Sequence, residues 1–536
     1  MSHSHRGLEA YPGAQPQRDR MAAVARFAPH AQCPALFLLA LLGLAFGCAE
    51  RGWLAAPVPE PLVLHADGRW LRDQRNRVVL LRGVIIAIDP VQTILDIEPG
   101  REAFRALQAR GVNLLRIVVP WGALEPQAGS LSLEILPRAV DPLIRLASAH
   151  GMTVVLALDL FDRSPCEAAP SPAPGWACPV QLDDPMTSEA AACAFWRADS
   201  FEGGGPLRAH VAELWRYLAD HYRDDARVFA FDPIDEPATP ACLRAEDFAR
   251  GTLRATQDEF ARSIEATGAR QLLLTEPPAG TALFETMPLV EHPSGEQHER
   301  QGLQPEPLWE ARPDLSPLVL SPHLQAGSRG GPEGHVGARM ASAIRAAGPS
   351  GLVLFGVVGA KLAQRSDERQ GIRASSPEFL ANALKSLDRT LTSGAIWPGT
   401  DDRVRGERRE PAARTLSTIE SIAKNPALAE VLLRPFAQRV AGLPQFVRWD
   451  PRRRLFHLAL RDDPLNSVRD PSVIHLPDGL YPEGFDVRLT PSGRWRFDQK
   501  TRSLLIYRSR WDEHLIVLAP RGALPAAVPA KPARLN

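Results

Sequence analysis

The 536-residue sequence has no excess of charge of either sign, because 62 lysine and arginine residues balance 62 aspartate and glutamate residues. It also has no basic stripe with interleaved aromatic side chains, so we expect no nucleic-acid partner. No glycine-rich phosphate loop follows the first predicted strand, which argues against a doubly wound nucleotide-binding sheet. The sequence therefore predicts a protein that uses neither nucleic acid nor a cofactor.

Cysteine is scarce, with six residues in the whole chain. The spacing of the last four fits no usual zinc pattern, and we expect no metal site. In an oxidising compartment these four could form two disulfides in any of three pairings. They are Cys166, Cys178, Cys193 and Cys242.

Long apolar runs are also rare, and the clearest one is Pro34 to Gly47. It is too short to span a bilayer comfortably and follows several arginines, which predicts a signal peptide over residues 1–48. Leu44 to Cys48 resembles a lipoprotein cleavage box, so we expect lipidation at Cys48 and membrane contact through that anchor. The protein is expected to be exported, as a periplasmic or outer-membrane lipoprotein or in secreted form, with residues 49–61 as a linker.

From Leu62 onward, strand-like runs alternate with amphipathic helical stretches, which is typical of a parallel α/β architecture. Eight such runs predict a (β/α)8 TIM barrel over residues 62–430. The runs are Val78–Val84, Leu114–Pro120, Thr153–Leu158, Val228–Phe231, Gln271–Thr275, Leu318–Ser321, Leu352–Phe355 and Gly394–Trp397. An insertion after the third run, Arg163 to Gly205, is expected to form a lid over the site.

The C-terminal part has a different pattern. About seven short alternating segments, separated by Pro, Gly and Asp turns, predict a small β-sandwich over residues 431–522. Residues 523–536 form a Pro/Ala-rich tail that we expect to be disordered.

Two adjacent carboxylates, Asp235 and Glu236, follow the predicted strand Val228–Phe231. The C-terminal end of a barrel strand is where (β/α)8 enzymes place their catalytic groups. Taken alone, the ten residues Val228 to Pro237 are more typical of an acid pair that caps a helix or forms salt bridges. Other strand ends favour the catalytic interpretation.

Several strand-end motifs, taken together, resemble glycoside hydrolase family 5. They are Leu81–Val84, Gly111–Trp121 with Glu125–Pro126, Phe231–Pro237, Ser321–His323, Gly356–Gly359 and Ile396–Trp397. The segments Arg434–Phe436, Ala441–Gly442 and Tyr481–Phe485 resemble the endoglycoceramidase branch, in which a β-sandwich follows the barrel. The resemblance covers roughly Leu62 to Pro520.

The resemblance implies a monomer that acts on O-glycosidic bonds of glycolipids or oligosaccharides without a cofactor. Retaining glycosidases need two carboxyl groups about 5 Å apart, one as acid/base and one as nucleophile. Glu236 matches the acid/base. The positions that match substrate-binding residues of the family are Arg116, Asp162, Asp235, His323 and Trp397.

Two positions depart from the family pattern. Asp235 stands where the motif has Asn, and an ionised carboxylate cannot donate the amide hydrogen bond to a sugar hydroxyl. Val357 stands at the nucleophile position, where a valine can neither attack the anomeric carbon nor stabilise positive charge. Because Arg116 supports the nucleophile carboxylate in the family, the resemblance predicts a buried cation in need of a new partner.

Three interpretations of function therefore stay open. The chain is a hydrolase that uses another acid, a glycan- or glycolipid-binding protein without turnover, or a structural envelope lipoprotein. The candidate replacement acids are Glu276, Asp401 and Asp402. Trp121, Trp176, Trp196 and Trp397 are candidates to stack on sugar rings, although core packing is as good an account of each.

Overall fold

A computed structural model of the protein describes most of the chain from Leu62 onward. The described residues are 62–88, 100–132, 134–160, 173–178, 185–198, 206–278, 318–326, 336–348, 351–360, 377–397, 419–420, 422–509 and 512–525. The predicted signal peptide with Cys48, the linker, Asp162, Asp401 and Asp402 lie outside these ranges. Within them, no helix is both long and apolar enough to cross a membrane.

The barrel sheet follows three short strands, β1 His65–Asp67, β2 Trp70–Arg72 and β3 Val78–Val79. Its parallel strands are β4 Arg82–Ala87, β5 Leu114–Pro120, β6 Thr153–Asp159, β7 Val228–Asp232, β8 Leu272–Thr275, β9 Leu318–Leu320, β10 His323–Ala326, β11 Leu354–Ala360 and β12 Ser393–Trp397. They pair in the order β10-β11-β12-β4-β5-β6-β7-β8-β9. The predicted (β/α)8 TIM barrel is confirmed.

The sixth barrel strand is split into β9 and β10 at Ser321 and Pro322. β9 pairs with β8, whereas β10 pairs with β11, and an isolated parallel bridge joins Leu320 to Val353. A proline has no N–H to donate to a neighbouring strand, so the ladder is interrupted there. His323 therefore begins a new strand at the C-terminal mouth of the barrel.

The first predicted strand, Val78–Val84, was wrong as a single unit. β3 pairs antiparallel with a strand of the sandwich, and only β4 belongs to the barrel. Side chains alternate between the two cores, since Val78 and Leu80 pack in the sandwich while Val79 and Leu81 pack inside the barrel. One apolar run thus serves two sheets.

Helices cover the outside of the barrel and pack on outward-facing strand residues. They are α1 Gly100–Ala109, α2 Trp121–Leu124, α3 Asp141–Ala149, α4 Pro185–Arg197, α5 Leu207–Tyr222, α6 Ala245–Asp247, α7 Leu253–Glu265, α8 Val336–Ala347, α9 Pro377–Thr390 and α10 Pro426–Val431. Two π-helical segments, Leu136–Val140 and Phe248–Thr252, lead into α3 and α7, and a 3₁₀ turn spans Gly175–Ala177.

The C-terminal strands are β13 Phe436–Val440, β14 Leu443–Asp450, β15 Leu455–Arg461, β16 Ser472–His475, β17 Phe485–Thr490, β18 Arg494–Asp498, β19 Ser503–Tyr507 and β20 Glu513–Pro520. They form a seven-stranded sheet, β1-β2-β3-β13-β16-β19-β18, and a four-stranded sheet, β14-β15-β20-β17. The predicted all-β sandwich is confirmed, although β13 was missed because its partner β3 lies far away in the sequence. The domain boundaries stay predictions.

Candidate active site

The candidate site lies where β5, β7, β8 and β10 end or begin at the mouth of the barrel. Arg116 occupies the inward-facing set of β5 together with Leu114 and Val118, which pack in the barrel interior. Its side chain is 1% exposed. A guanidinium so deeply buried needs charged partners, because desolvation of an unpaired ion costs several kcal/mol.

Three carboxylates surround the Arg116 guanidinium. Its Nη1 donates to Asp232 Oδ2 at 2.5 Å, and its Nη2 donates to Asp235 Oδ1 at 2.5 Å and to Glu276 Oε1 at 2.8 Å. Burial works to lower the pKa of Arg116, but these carboxylates outweigh it and raise the pKa above its ordinary value. The cation that the resemblance predicted to lack its family partner is thus neutralised from the ends of β7 and β8.

His323 connects the two glutamates of the site. Its Nδ1 lies 3.1 Å from Glu236 Oε1, and its Nε2 lies 2.7 Å from Glu276 Oε1 and 3.8 Å from Asp235 Oδ1. Burial lowers the pKa of His323, yet the charge of Glu276 and the close contacts with both glutamates raise it to about 10. The imidazole is therefore a cation at neutral pH.

Glu236 has a left-handed backbone, with φ of 49°. Such a conformation costs an L residue roughly 1–3 kcal/mol and persists where the surroundings impose it. Glu276 Oε2 accepts a hydrogen bond from the Glu236 N–H at 2.9 Å, and Gln257 Nε2 donates to the Glu276 carbonyl at 2.9 Å. Glu276 thus holds the backbone of the predicted acid/base. The Glu236 side chain is 28% exposed, against 2% for Glu276.

The buried acids at the end of β7 are hard to ionise. Burial raises the pKa of Asp232 to about 7, despite the opposing charge of Arg116. Burial also raises the pKa of Asp235, against the charges of Arg116 and His323. Four carboxylates face two cations in this network, and the raised pKa values of Asp232 and Asp235 are in keeping with that excess of acids.

β11 passes beside His323 through Gly356 and Val357. A Cβ on Gly356 would lie 2.3 Å from His323 Nε2, so the imidazole fits only because this residue is glycine. Val357 pairs in register with His323, at the strand position that the resemblance assigns to the nucleophile. None of the described residues of β11 is acidic.

The candidate site residues still to be placed include three tryptophans and Asp162. Trp397, at the end of β12, is 9% exposed and belongs to the apolar cluster inside the barrel, so little of its ring is open to a sugar. Asp162 lies outside the described residues. Trp121 and Trp196 are buried in the outer core, which favours packing over sugar stacking for both.

The loops at the mouth are tied together by a second cluster around Glu125. Its carboxylate accepts hydrogen bonds from Trp121 Nε1 and the Gly129 N–H, each at 2.8 Å, and lies 2.8 Å from His210 Nδ1. Trp176 packs on His210 and donates to the Glu125 carbonyl at 2.9 Å. These contacts fix part of the predicted lid onto the barrel.

A disulfide adds to this attachment. Cys193, on α4, is bonded to Cys242, in the segment after β7. Cys178 is also disulfide-bonded. The first of these bonds joins the predicted lid to the segment that follows the Asp235–Glu236 pair.

Asp235, Glu276 and His323 form the group of described residues that could offer metal-ligand atoms close together. Arg116 Nη2 already donates to both carboxylate oxygens that face the imidazole. Because a guanidinium occupies the position of a cation, this cluster fits a salt-bridge network better than a metal site.

Sequence reasoning missed Asp232 and gave Glu276 a different role. Asp232 is the last residue of a buried strand and precedes Asp235 by three residues. A carboxylate at the end of such a strand was the sequence feature that could have identified it as a site residue. Glu276 was considered as a replacement nucleophile. It directly follows β8, which is next to β7 around the barrel, and both of its carboxylate oxygens are already bonded to protein groups.

Comparison with known proteins finds family models that match both domains. The family model for cellulase (glycosyl hydrolase family 5) matches residues 90–328, and that for the glycoside hydrolase family 5 C-terminal domain matches residues 434–516. No curated protein sequence matches the chain.

Solved structures of similar fold cover both domains. Endo-glycoceramidase II from Rhodococcus sp., in complex with a five-membered iminocyclitol, has 18% identity and a TM-score of 0.61, covering 86% of this chain and 100% of its own. An endogalactoceramidase has 17% identity and a TM-score of 0.58, covering 85% of this chain and 99% of its own. Sterylglucosidase 1 from Cryptococcus neoformans has 13% identity and a TM-score of 0.60, covering 87% of this chain and 99% of its own.

The two family models, one for each domain, together match more than half of the sequence, and the solved structures share the barrel and the sandwich. The chain belongs to glycoside hydrolase family 5.

Proposed function

We propose that this chain binds the sugar portion of a glycolipid or oligosaccharide at the mouth of its barrel and does not hydrolyse it by double displacement. The observation that carries the proposal is the set of Arg116 partners. The guanidinium is bound by Asp232, Asp235 and Glu276, so the charge that supports a nucleophile in the family is already used. Val357 offers no carboxylate in its place.

The ligand class follows from the fold and the exposed acid. Similar structures include endo-glycoceramidase II from Rhodococcus sp. bound to ganglioside GM3, which supports a glycolipid as the first ligand to test. Among the carboxylates that pair with Arg116 or His323, Glu236 has the most exposed side chain, and it contacts His323. It is the group that we expect to meet the glycosidic oxygen.

A second candidate is hydrolysis that retains Glu236 as general acid with another carboxylate as base. The partial exposure of Glu236 and its contact with a protonated His323 favour this alternative. An inverting site needs a carboxylate roughly 6.5–9.5 Å away across the sugar bond. Among the described residues, Glu276 is too fully bonded to fill that role.

The test uses purified protein with fluorogenic β-glycosides, a ganglioside and a glycan array. Binding without turnover at high protein concentration supports the proposal, and Glu236→Gln should alter binding because this side chain meets the ligand. Turnover that Glu236→Gln abolishes would establish the second candidate instead. Neither binding nor turnover would leave the structural lipoprotein as the remaining interpretation.

We also propose export and a lipid anchor at Cys48, which lies outside the described residues. The apolar run Pro34 to Gly47 and the cleavage-box resemblance support this proposal. Cys48→Ser should move the protein from the membrane fraction to the soluble fraction. Retention of the variant in the membrane fraction would contradict a sole anchor at this cysteine.

A further inference from the structure

Among the described strands, β18 lies at an edge of the seven-stranded sheet, and it presents an exposed tryptophan. Trp495 is 46% exposed, and its ring centroid lies 6.1 Å from that of Phe485. Phe485 also contacts Tyr481 at 5.8 Å and Phe497 at 5.2 Å. We call these four residues the aromatic edge. Its other three members are partly buried against the sandwich core, so Trp495 projects from an apolar base.

Positive charge flanks the aromatic edge. Arg494, Arg496 and Lys500 are exposed, whereas β18 and its following turn contain one carboxylate, Asp498. The Asp498 carboxylate accepts hydrogen bonds from the backbone N–H groups of Lys500 and Thr501, so it is bonded within the turn. Because side chains alternate along a strand, Arg494 and Arg496 project from the face of β18 opposite to Trp495, so this edge carries the ring on one face and a net positive charge on the other.

The surrounding charges do not cancel this excess. Arg502 lies over the Phe497 ring, with 5.0 Å between its Cζ and the ring centroid, and pairs with Asp478 at 2.9 Å. The exposed Glu483 has a basic counterpart in Arg521, whose guanidinium lies beside Gly484. Asp486, next to Phe485, accepts a hydrogen bond from the Gly522 N–H, and Asp498 interacts electrostatically with Arg496. The three basic side chains of β18 and its turn still outnumber the one carboxylate there, so the net charge of this edge is positive.

We propose that the aromatic edge docks on an anionic phospholipid surface. Tryptophan is enriched at membrane interfaces, where its ring lies at the level of the headgroups. With the edge of the sheet against the headgroups, the arginines on the other face of β18 and Lys500 in the turn would contact phosphate groups, and each such charge strengthens binding to anionic lipid about fivefold. This surface acts independently of Cys48 and of ligand binding in the barrel.

An acidic polysaccharide fits the same charge less well. Sugar-binding platforms stack their ligands on flat, exposed aromatic faces, whereas Trp495 is the one exposed ring of the aromatic edge. Basic residues on an edge strand also discourage pairing with a second sheet. That role accounts for Arg494 and Arg496, but it does not account for an exposed tryptophan between them.

Vesicle binding by the full chain carrying Cys48→Ser tests the proposal, since this background removes any anchor at that residue. The vesicles are phosphatidylcholine with and without phosphatidylglycerol, followed by cosedimentation and tryptophan fluorescence. We expect binding to the anionic vesicles that weakens with added salt, because screening reduces surface attraction. Arg494→Gln with Arg496→Gln should weaken it about 25-fold, by the same fivefold factor per charge. Trp495→Ala should weaken it severalfold and remove the fluorescence change.

Matched controls lie beside the opposite edge of the sheet, in the loop after β15. Leu465 is 52% exposed and Arg469 is exposed, so Leu465→Ala and Arg469→Gln remove similar groups at a site without clustered aromatic rings. Unchanged thermal melting of all variants shows that loss of binding is not loss of fold. The proposal is overturned if the aromatic-edge variants bind anionic vesicles as well as the controls do, or if the Cys48→Ser chain itself does not bind them. Binding of polygalacturonate in place of vesicles, or concentration-dependent dimerisation lost in Trp495→Ala, would also overturn it.

Discussion

Arg116 determines the electrostatics of the candidate site, because its guanidinium cannot be released to solvent. A retaining family 5 site would place a nucleophile carboxylate near this cation. By the resemblance to the family motifs, Asp235 stands at the Asn position and Val357 at the nucleophile position, so one carboxylate is gained after β7 and another is missing from β11. The two substitutions keep the arginine neutralised.

Removal of Glu276 should destabilise the folded protein. Glu276→Gln deletes the charge shared by Arg116 and His323, and breaking a buried ion network costs about 3–5 kcal/mol. Urea unfolding measures this loss. Glu134→Gln is the control, because Glu134 is exposed and pairs with Arg138 on the surface at 3.0 Å. Similar small effects in both variants would contradict the role assigned to Glu276.

His323 predicts a pH dependence of stability. Its pKa rises from 6.5 to about 10 on folding, so its contribution is fully present below pH 6.5 and is lost as pH rises through 10. Asp232, with a pKa raised from 3.8 to about 7, acts in the same direction at lower pH. The unfolding free energy of the parent minus that of His323→Gln should shrink between pH 6.5 and 10, by on the order of a few kcal/mol. Parallel pH profiles for the two proteins would contradict this prediction.

At the scale of elements, the site is built by strand ends that the barrel brings together. β7 supplies Asp232 and positions Asp235 and Glu236, β8 positions Glu276, and β10 begins with His323. The split between β9 and β10 allows His323 to pack against Gly356 of β11. Together with Arg116 of β5, these groups come from four strands, so a single substitution acts on the whole set.

Restoring the family pattern should therefore need two changes. Val357→Glu alone adds a carboxylate while Arg116 stays bound to Asp235, and Asp235→Asn alone leaves no nucleophile. We expect hydrolysis of a fluorogenic β-glycoside from the double variant, at least about tenfold above either single variant. Addition of Glu236→Gln to the double variant should remove that activity. A double variant no more active than the single variants would contradict the exchange of carboxylates.

At the scale of the whole molecule, the barrel and the sandwich are linked by a strand pairing and by an ion-pair network. β3 precedes the barrel in sequence but pairs with β13. Asp388 on α9 lies 3.0 Å from Arg82 Nη2 of the barrel, and its second oxygen contacts Arg434, which leads into the sandwich. Burial lowers the pKa of both arginines to about 9, so both remain cations at neutral pH.

Asp388→Asn should therefore weaken both domains together. It leaves Arg82 and Arg434 buried without their shared carboxylate, with an expected loss of about 3–5 kcal/mol of unfolding free energy. Glu378→Gln is the control, because Glu378 is an exposed acid in the first turn of the same helix. Guanidinium unfolding followed by tryptophan fluorescence measures both. A loss no larger than that of the control would contradict the shared role of Asp388.

The sequence by itself determined most of the architecture. Apolar runs of strand length alternating with amphipathic helices indicated the barrel, and short segments between turn residues indicated the sandwich. Motifs at strand ends identified Arg116, Asp235, Glu236 and His323 as members of one site, and the described structure brings them together. These features depend on local pattern, which the order of residues along the chain records directly.

Only the tertiary structure decided how the site is neutralised and where the sheets divide. Arg116 and Glu276 are 160 residues apart, and β3 and β13 are joined across the whole barrel. Neither contact follows from hydrophobic period or strand length. Which side chains meet is set by closure of the barrel and by the register of its strands, because these decide which inward-facing groups share a buried space. For this reason the valine at position 357 was visible in the sequence, while the new partners of Arg116 were not.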